Sequence, residues 1–214
     1  MGQYNNKGMY AGYDKNNKER EALDYYATPP AEVSNILKVL NLPDFENSLI
    51  LEPCCGGGHM IDGILSVYPE ASITGSDIQC RIDTNLKTYP KNVDLYFGED
   101  YDFLSENYPC KEIDYIVMNP PFSTIIPFVK HSLDIARKGV LMFGRLQFLE
   151  SIKRYEEIFK DWPPTLVYVY VDRVACYKNG DFSVKQSSAQ AYAWYYWDIG
   201  HIGETFLEFL RSSK

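Results

Sequence analysis

Ser48-Leu49-Ile50-Leu51-Glu52-Pro53-Cys54-Cys55-Gly56-Gly57-Gly58 is an apolar run that stops at an acid and a proline, then turns through three glycines. Met60, Ile61, Ile64, Leu65 and Tyr68 follow at helical spacing, and Pro69 ends them. Buried strand, glycine-rich turn and amphipathic helix form the first half of a nucleotide-binding α/β unit. Glycines let a backbone approach a ligand closely, and a helix N-terminus presents free N–H groups. After Gly58 the next glycine is Gly63, a departure from G-x-G-x-x-G that argues against a nicotinamide cofactor.

Upstream, Tyr25-Tyr26-Ala27-Thr28-Pro29-Pro30 leads into Val33, Ile36, Leu37 and Leu40 at helical spacing. Thr28 reads either as the N-cap of that helix, with Pro29 at its first position, or as a functional residue. Asn41 and Pro43 end the helix. Residues 1–20 are rich in Asn, Gly and Lys, with little to bury, and read as a flexible arm before one domain over 21–214.

Downstream, 72–75 is a second strand with Asp77 just past its end. Asp77 is placed either to accept ribose hydroxyls or to cap a short helix around 81–86. Val93, Leu95 and Phe97 alternate as a third strand, followed by the turn Gly98-Glu99-Asp100-Tyr101-Asp102-Phe103-Leu104. A fourth strand, 114–118, opens into Asn119-Pro120-Pro121-Phe122. Two prolines fix φ twice and remove two donors, so this turn is neither helix nor inner strand. Its carbonyls and the Asn119 amide accept hydrogen bonds beside the flat face of Phe122, a setting for a planar NH2 group. In isolation the tripeptide reads as a strand-to-loop turn with Phe122 in the core.

Ile125, Phe128, Val129, Leu133 and Ala136 trace a helix, and 139–146 a fifth strand. Residues 147–159 read as helical, while 166–177 and 189–198 read as a hairpin joined by the polar loop 178–188. Periodicity leaves 204–210 open between helix and strand. The pattern predicts an α/β fold, with a mostly parallel sheet, helices on both faces and a C-terminal antiparallel hairpin. Ligands bind such sheets at the carboxyl ends of the strands. Glu52, Asp77, Asp100 or Asp102, and Asn119 stand at four successive strand ends, which points to one shared cleft.

Bulk properties narrow the class. Of 214 residues, 45% are hydrophobic and 23% charged, an ordinary globular composition. Five scattered cysteines without a C-x-x-C pair and only three histidines disfavour zinc and suit a cytoplasmic chain with reduced thiols. No apolar run approaches the ~20 residues that span a bilayer. The net charge of −8 argues against a strong nonspecific grip on nucleic acid, although Lys130, His131, Arg137, Lys138, Arg145, Lys153 and Arg154 make a local basic stretch.

On these motifs the chain resembles the S-adenosylmethionine-dependent N6-adenine DNA methyltransferases. Asn119-Pro120-Pro121-Phe122 resembles their catalytic (D/N/S)-P-P-(Y/F/W) motif, and Glu52-Pro53-Cys54-Cys55-Gly56-Gly57-Gly58 their cofactor motif. Thr28-Pro29-Pro30 is similar to the segment that precedes it. Arg145-Leu146-Gln147-Phe148-Leu149-Glu150, Asp172-Arg173-Val174 and Tyr192-Ala193-Trp194-Tyr195-Tyr196-Trp197 are similar to small phage-borne members. The resemblance covers about 24–200 and implies a Rossmann-like methyltransferase fold without a separate target-recognition domain. It implies that Thr28 and the Gly56–Gly58 turn hold the methionine part of S-adenosyl-L-methionine beside Glu52, and that Pro53, Cys54 and Asn119 also bind this cofactor. By the same resemblance Asp77 holds the ribose, Ile78 packs on the adenine, and Asp100 or Asp102, with Phe103, contacts that ring. The implied reaction is methyl transfer to the adenine N6 amine of DNA. Asn119 and Pro120 accept the amine hydrogens, and Phe122 stacks on the base. The same motif serves enzymes acting on RNA bases and on protein glutamine amides, and a cofactor-binding protein without catalysis is the remaining alternative.

Overall fold

The computed structural model describes residues 25–42, 44–83, 86–109, 112–183 and 189–213. The expected arm and part of the 178–188 loop lie outside them. Eight strands form the main sheet: β2 (Leu49–Glu52), β3 (Ser72–Asp77), β4 (Val93–Phe97), β5 (Ile113–Met118), β6 (Ala136–Arg145), β7 (Leu166–Tyr170), β9 (Tyr192–Asp198) and β10 (Phe206–Leu210). Their order is β10-β7-β9-β6-β5-β2-β3-β4. Only β9 runs against its neighbours, pairing antiparallel with β6 and β7. A separate ribbon joins β1 (Tyr26–Ala27) to β8 (Tyr177–Lys178), with Tyr26 opposite Lys178.

The apolar runs 115–118 of β5 and 192–197 of β9 follow from burial on both faces, because alternate side chains enter opposite cores. Tyr115 and Val117 pack on one side with α1 (Pro30–Leu40) and α2 (His59–Leu65). Ile116 and Met118 pack on the other, against α3 (Ile125–Ile135). The aromatic residues of β9 divide in the same way, and their polar tips find partners. Trp194 Nε1 donates to the Tyr170 hydroxyl (2.8 Å), the Tyr195 hydroxyl to the Arg145 carbonyl (2.9 Å), and Trp197 Nε1 to the Trp162 carbonyl (2.9 Å).

The helices α1 and α2 approach closely at Gly63. A Cβ there would lie 2.5 Å from the Val33 Cβ and 2.6 Å from the Pro30 carbonyl oxygen. Gly63→Ala is therefore expected to destabilise the fold by about 1–3 kcal/mol, although alanine is the better helix former. A lower denaturation midpoint at unchanged m-value checks it.

Several local expectations give way to tertiary contacts. The first helix begins one residue later than its sequence suggests. Pro29 occupies the cap position and Pro30 the first turn; proline has no side-chain acceptor to cap with, and the Thr28 hydroxyl instead accepts Asn119 Nδ2. Among the described residues Asp77 caps no helix: its carboxylate accepts the Gly56 and Gln79 amides, both at 2.9 Å, and 79–83 run as coil, while 84–85 of the expected helix lie outside those residues. The stretch 147–159 breaks at Ser151 into a 3-10 turn (Leu146–Leu149), one α turn (Ile152–Arg154) and a π turn (Tyr155–Phe159). The first hairpin strand stops at Tyr170 rather than at 177, and in the last segment Phe206–Leu210 form strand β10, paired parallel to β7 at the sheet edge.

Candidate active site

Parallel pairing brings the ends of β2, β3 and β5 to one edge of the sheet, where a cleft of about 350 Å³ opens. Glu52, Asp77 and Asn119 all line it, as do Thr28, Pro53, Cys54, Ile78, Phe103, Pro120, Pro121 and Phe122. Of the two alternatives in the acidic turn, Asp102 lines the cleft and Asp100 does not. Asp102 also accepts the Leu104 amide at 3.0 Å, which fixes its carboxylate.

Gly56 and Gly58 shape the turn from behind the cleft wall rather than line it. Gly56 has φ +49, and a Cβ there would collide with the Tyr25 ring. Its amide hydrogen bond to Asp77 ties the glycine turn to the end of β3.

Glu52 is buried at the end of β2. Its Oε2 finds no hydrogen-bond partner among the described residues. Desolvation holds the acid well above the ordinary glutamate range, and the nearby Asp77 and Asp62 reinforce this. A buried orphan carboxyl oxygen is costly alone, and a ligand cation or donor is the kind of group that could satisfy it. Asp77 is also shifted up by burial, against the pull of its backbone hydrogen bonds and Arg81.

The Asn119 amide is fixed by two acceptors. Its Nδ2 donates to the Tyr26 carbonyl (3.0 Å) and to the Thr28 hydroxyl (2.9 Å). Both donors are thereby used, and Oδ1 keeps its lone pairs. The Cys54 thiol donates to the Asn119 carbonyl at 3.4 Å. Burial, with Glu52 and Asp77 nearby, pushes that thiol well up, so it stays protonated.

Sequence reasoning missed a group that closes the cleft around the glycine turn. The Tyr25 hydroxyl accepts the Gly57 amide (3.0 Å) and bonds His59 Nδ1 (2.7 Å). The Arg81 guanidinium lies over the Tyr25 ring at 5.1 Å. Tyr25, Tyr26, His59, Arg81 and Tyr101 all line the cleft. The ribbon, with the Asn179 amide on the Tyr25 carbonyl at 2.8 Å, helps place Tyr25 and Tyr26 here, and no local pattern announces that pairing. Burial lowers the His59 pKa, so its imidazole stays neutral.

No family model matches the chain. It is 30% identical over 120 residues, 56% of its length, to a type II methyltransferase, M.CvrRI, of Paramecium bursaria Chlorella virus XZ-6E. The chain spans 30% of that relative's length. Among solved structures it matches the type I restriction-modification methyltransferase subunit of Streptococcus thermophilus, with TM-score 0.64 and 11% identity, over 88% of this chain and 47% of that one. It also matches a SAM-dependent O-methyltransferase of Thermotoga maritima, with TM-score 0.50 and 14% identity, over 82% and 67%. At such identities the structures speak for the fold alone. The chain has the Rossmann-like methyltransferase fold, and in its motifs and its curated relative it resembles the DNA methyltransferases.

Proposed function

We propose that this chain transfers a methyl group from S-adenosylmethionine to the N6 amine of adenine in DNA. The observation that carries the reading is the Asn119 amide, held by both its hydrogens so that its oxygen serves as acceptor in the Glu52 cleft. The residues present fit the donor: the orphan Glu52 Oε2 suits its ammonium, Asp77 its ribose, and Ile78, Asp102 and Phe103 its adenine. When bound, S-adenosylmethionine supplies an electrophilic methyl group, which joins the amine nitrogen as the carbon–sulfur bond breaks.

The chain's own work is positioning and electrostatics. An exocyclic amine is a weak nucleophile because its lone pair is delocalised into the ring. Asn119 Oδ1 and the Pro120 carbonyl accept its two hydrogens and favour a tetrahedral nitrogen with its lone pair exposed. The surplus proton leaves along one of these hydrogen bonds to water. Phe122 stacks on the base once it is out of the helix.

The test is labelled methyl transfer to DNA, RNA and a glutamine peptide, with nucleoside analysis of the product. N6-methyladenine in DNA is expected. Label confined to RNA or peptide would replace the acceptor assignment, and donor binding without transfer to any of them would refute catalysis.

A further inference from the structure

Arg145, the first residue of the run whose role the motifs leave open, ends β6, the strand beside β5. Its guanidinium carbon lies 3.9 Å from the centroid of the Phe122 ring, well inside cation–π range. Tyr26 makes a tilted contact with the same ring at 6.2 Å. Phe122 lines the cleft while Arg145 does not, so the cation backs the ring from outside the cleft wall.

The arginine is itself well anchored. Its backbone pairs with Tyr192 in register, and its carbonyl accepts the Tyr195 hydroxyl at 2.9 Å. Tyr192 in turn stacks on Phe143 at 5.0 Å and 11°. The Nε atom is buried and has no acceptor among the described residues. Arg137 binds Glu112 and Asp114, and Arg154 binds two carbonyls and lies over Phe148 at 5.4 Å, farther than Arg145 from its ring. At Arg145 an aromatic face takes part of the place of such oxygens.

We infer that Arg145 is a positioning residue for the acceptor base: its guanidinium, laid on the outer face of Phe122, holds the plane on which the base stacks. This rests on the reading of Phe122 as the base-stacking ring. A cation on one face of a ring draws density from the other, which strengthens stacking by an electron-rich purine. It also removes the ring's freedom to rotate before the base arrives.

The test compares Arg145→Met, which keeps a long stem without charge, with Arg145→Lys, which keeps the cation. The acceptor is a single-stranded deoxyadenosine oligonucleotide, so that extrusion from a duplex plays no part. In Arg145→Met the acceptor KM is expected to rise roughly tenfold, with donor affinity and melting temperature near wild type. Arg145→Lys is expected to recover most of that loss. An unchanged KM in Arg145→Met, or equal loss in both variants, overturns the inference while leaving the methyltransferase reading intact. If wild-type protein methylates no nucleic acid, the acceptor reading fails. Aromatic NMR of Phe122 then decides the point directly: faster ring flipping in Arg145→Met than in Arg145→Lys supports immobilisation by the cation, and equal flipping rejects it.

Discussion

Asn119→Ala is expected to lower methyl transfer by roughly 10²–10³-fold, with little change in donor affinity. The side chain is half-buried and lies at a turn, so truncation opens no large core cavity. What is lost is an acceptor fixed in place before substrate arrives, and such fixed groups contribute most where charge redistributes in the transition state. The neighbouring groups allow finer dissection. Asn119→Asp restores an acceptor but has no hydrogen for the Tyr26 carbonyl, so it is expected to recover only part of the rate. Thr28→Val removes one of the two acceptors that aim the amide. Its loss should be smaller than that of Asn119→Ala and expressed in kcat. Steady-state incorporation of labelled methyl groups measures all three, and an Asn119→Ala protein working near the wild-type rate would remove the amide from the mechanism.

The second large effect concerns Glu52 and pH. In the free protein, desolvation raises its pKa well above the glutamate value. A bound ammonium favours the carboxylate and lowers that pKa, so binding between the two values releases a proton. Donor affinity should therefore climb with pH, by up to tenfold per unit, and level off above the free-protein pKa. Stability of the free protein runs the other way. The neutral buried acid contributes fully below the unfolded glutamate pKa of about 4.3, and that contribution is lost as pH rises through the raised folded value. Glu52→Gln should weaken donor binding roughly 10- to 100-fold and abolish the proton release. Calorimetry in buffers of different ionisation enthalpy reads both quantities. Equal heats in all buffers for the wild type would refute the coupling.

The core strands were legible because both faces of the sheet are buried. Residues 50–51 and 115–118 are buried and read as apolar runs, and nothing else competes for them. The parallel order then assembled Glu52, Asp77 and Asn119 at one edge, a consequence of topology that local pattern anticipates. What escaped depends on partners far along the chain. Thr28 has an ordinary capping residue's chemistry, yet Asn119, 91 positions later, takes its hydroxyl. Asp77 has the look of a cap and instead steadies the glycine turn. Tyr25 matters because the ribbon helps fold it onto Gly57 and His59. The break at Ser151 follows from a local competition that periodicity hides: its side chain accepts the Arg154 amide at 3.4 Å and starts a new turn.

The ribbon of β1 and β8 has one further consequence, for hydrogen exchange. Two residues pair on each strand, far fewer than a stable independent hairpin needs. Such a unit opens more readily than the sheet does. Each opening that carries Tyr26 away strips the Asn119 amide of one of its two tethers. The exchange rate of the ribbon amides is thus a clock for how long the acceptor oxygen stays aimed. Any ligand that slows that clock without touching Asn119 still sharpens its aim.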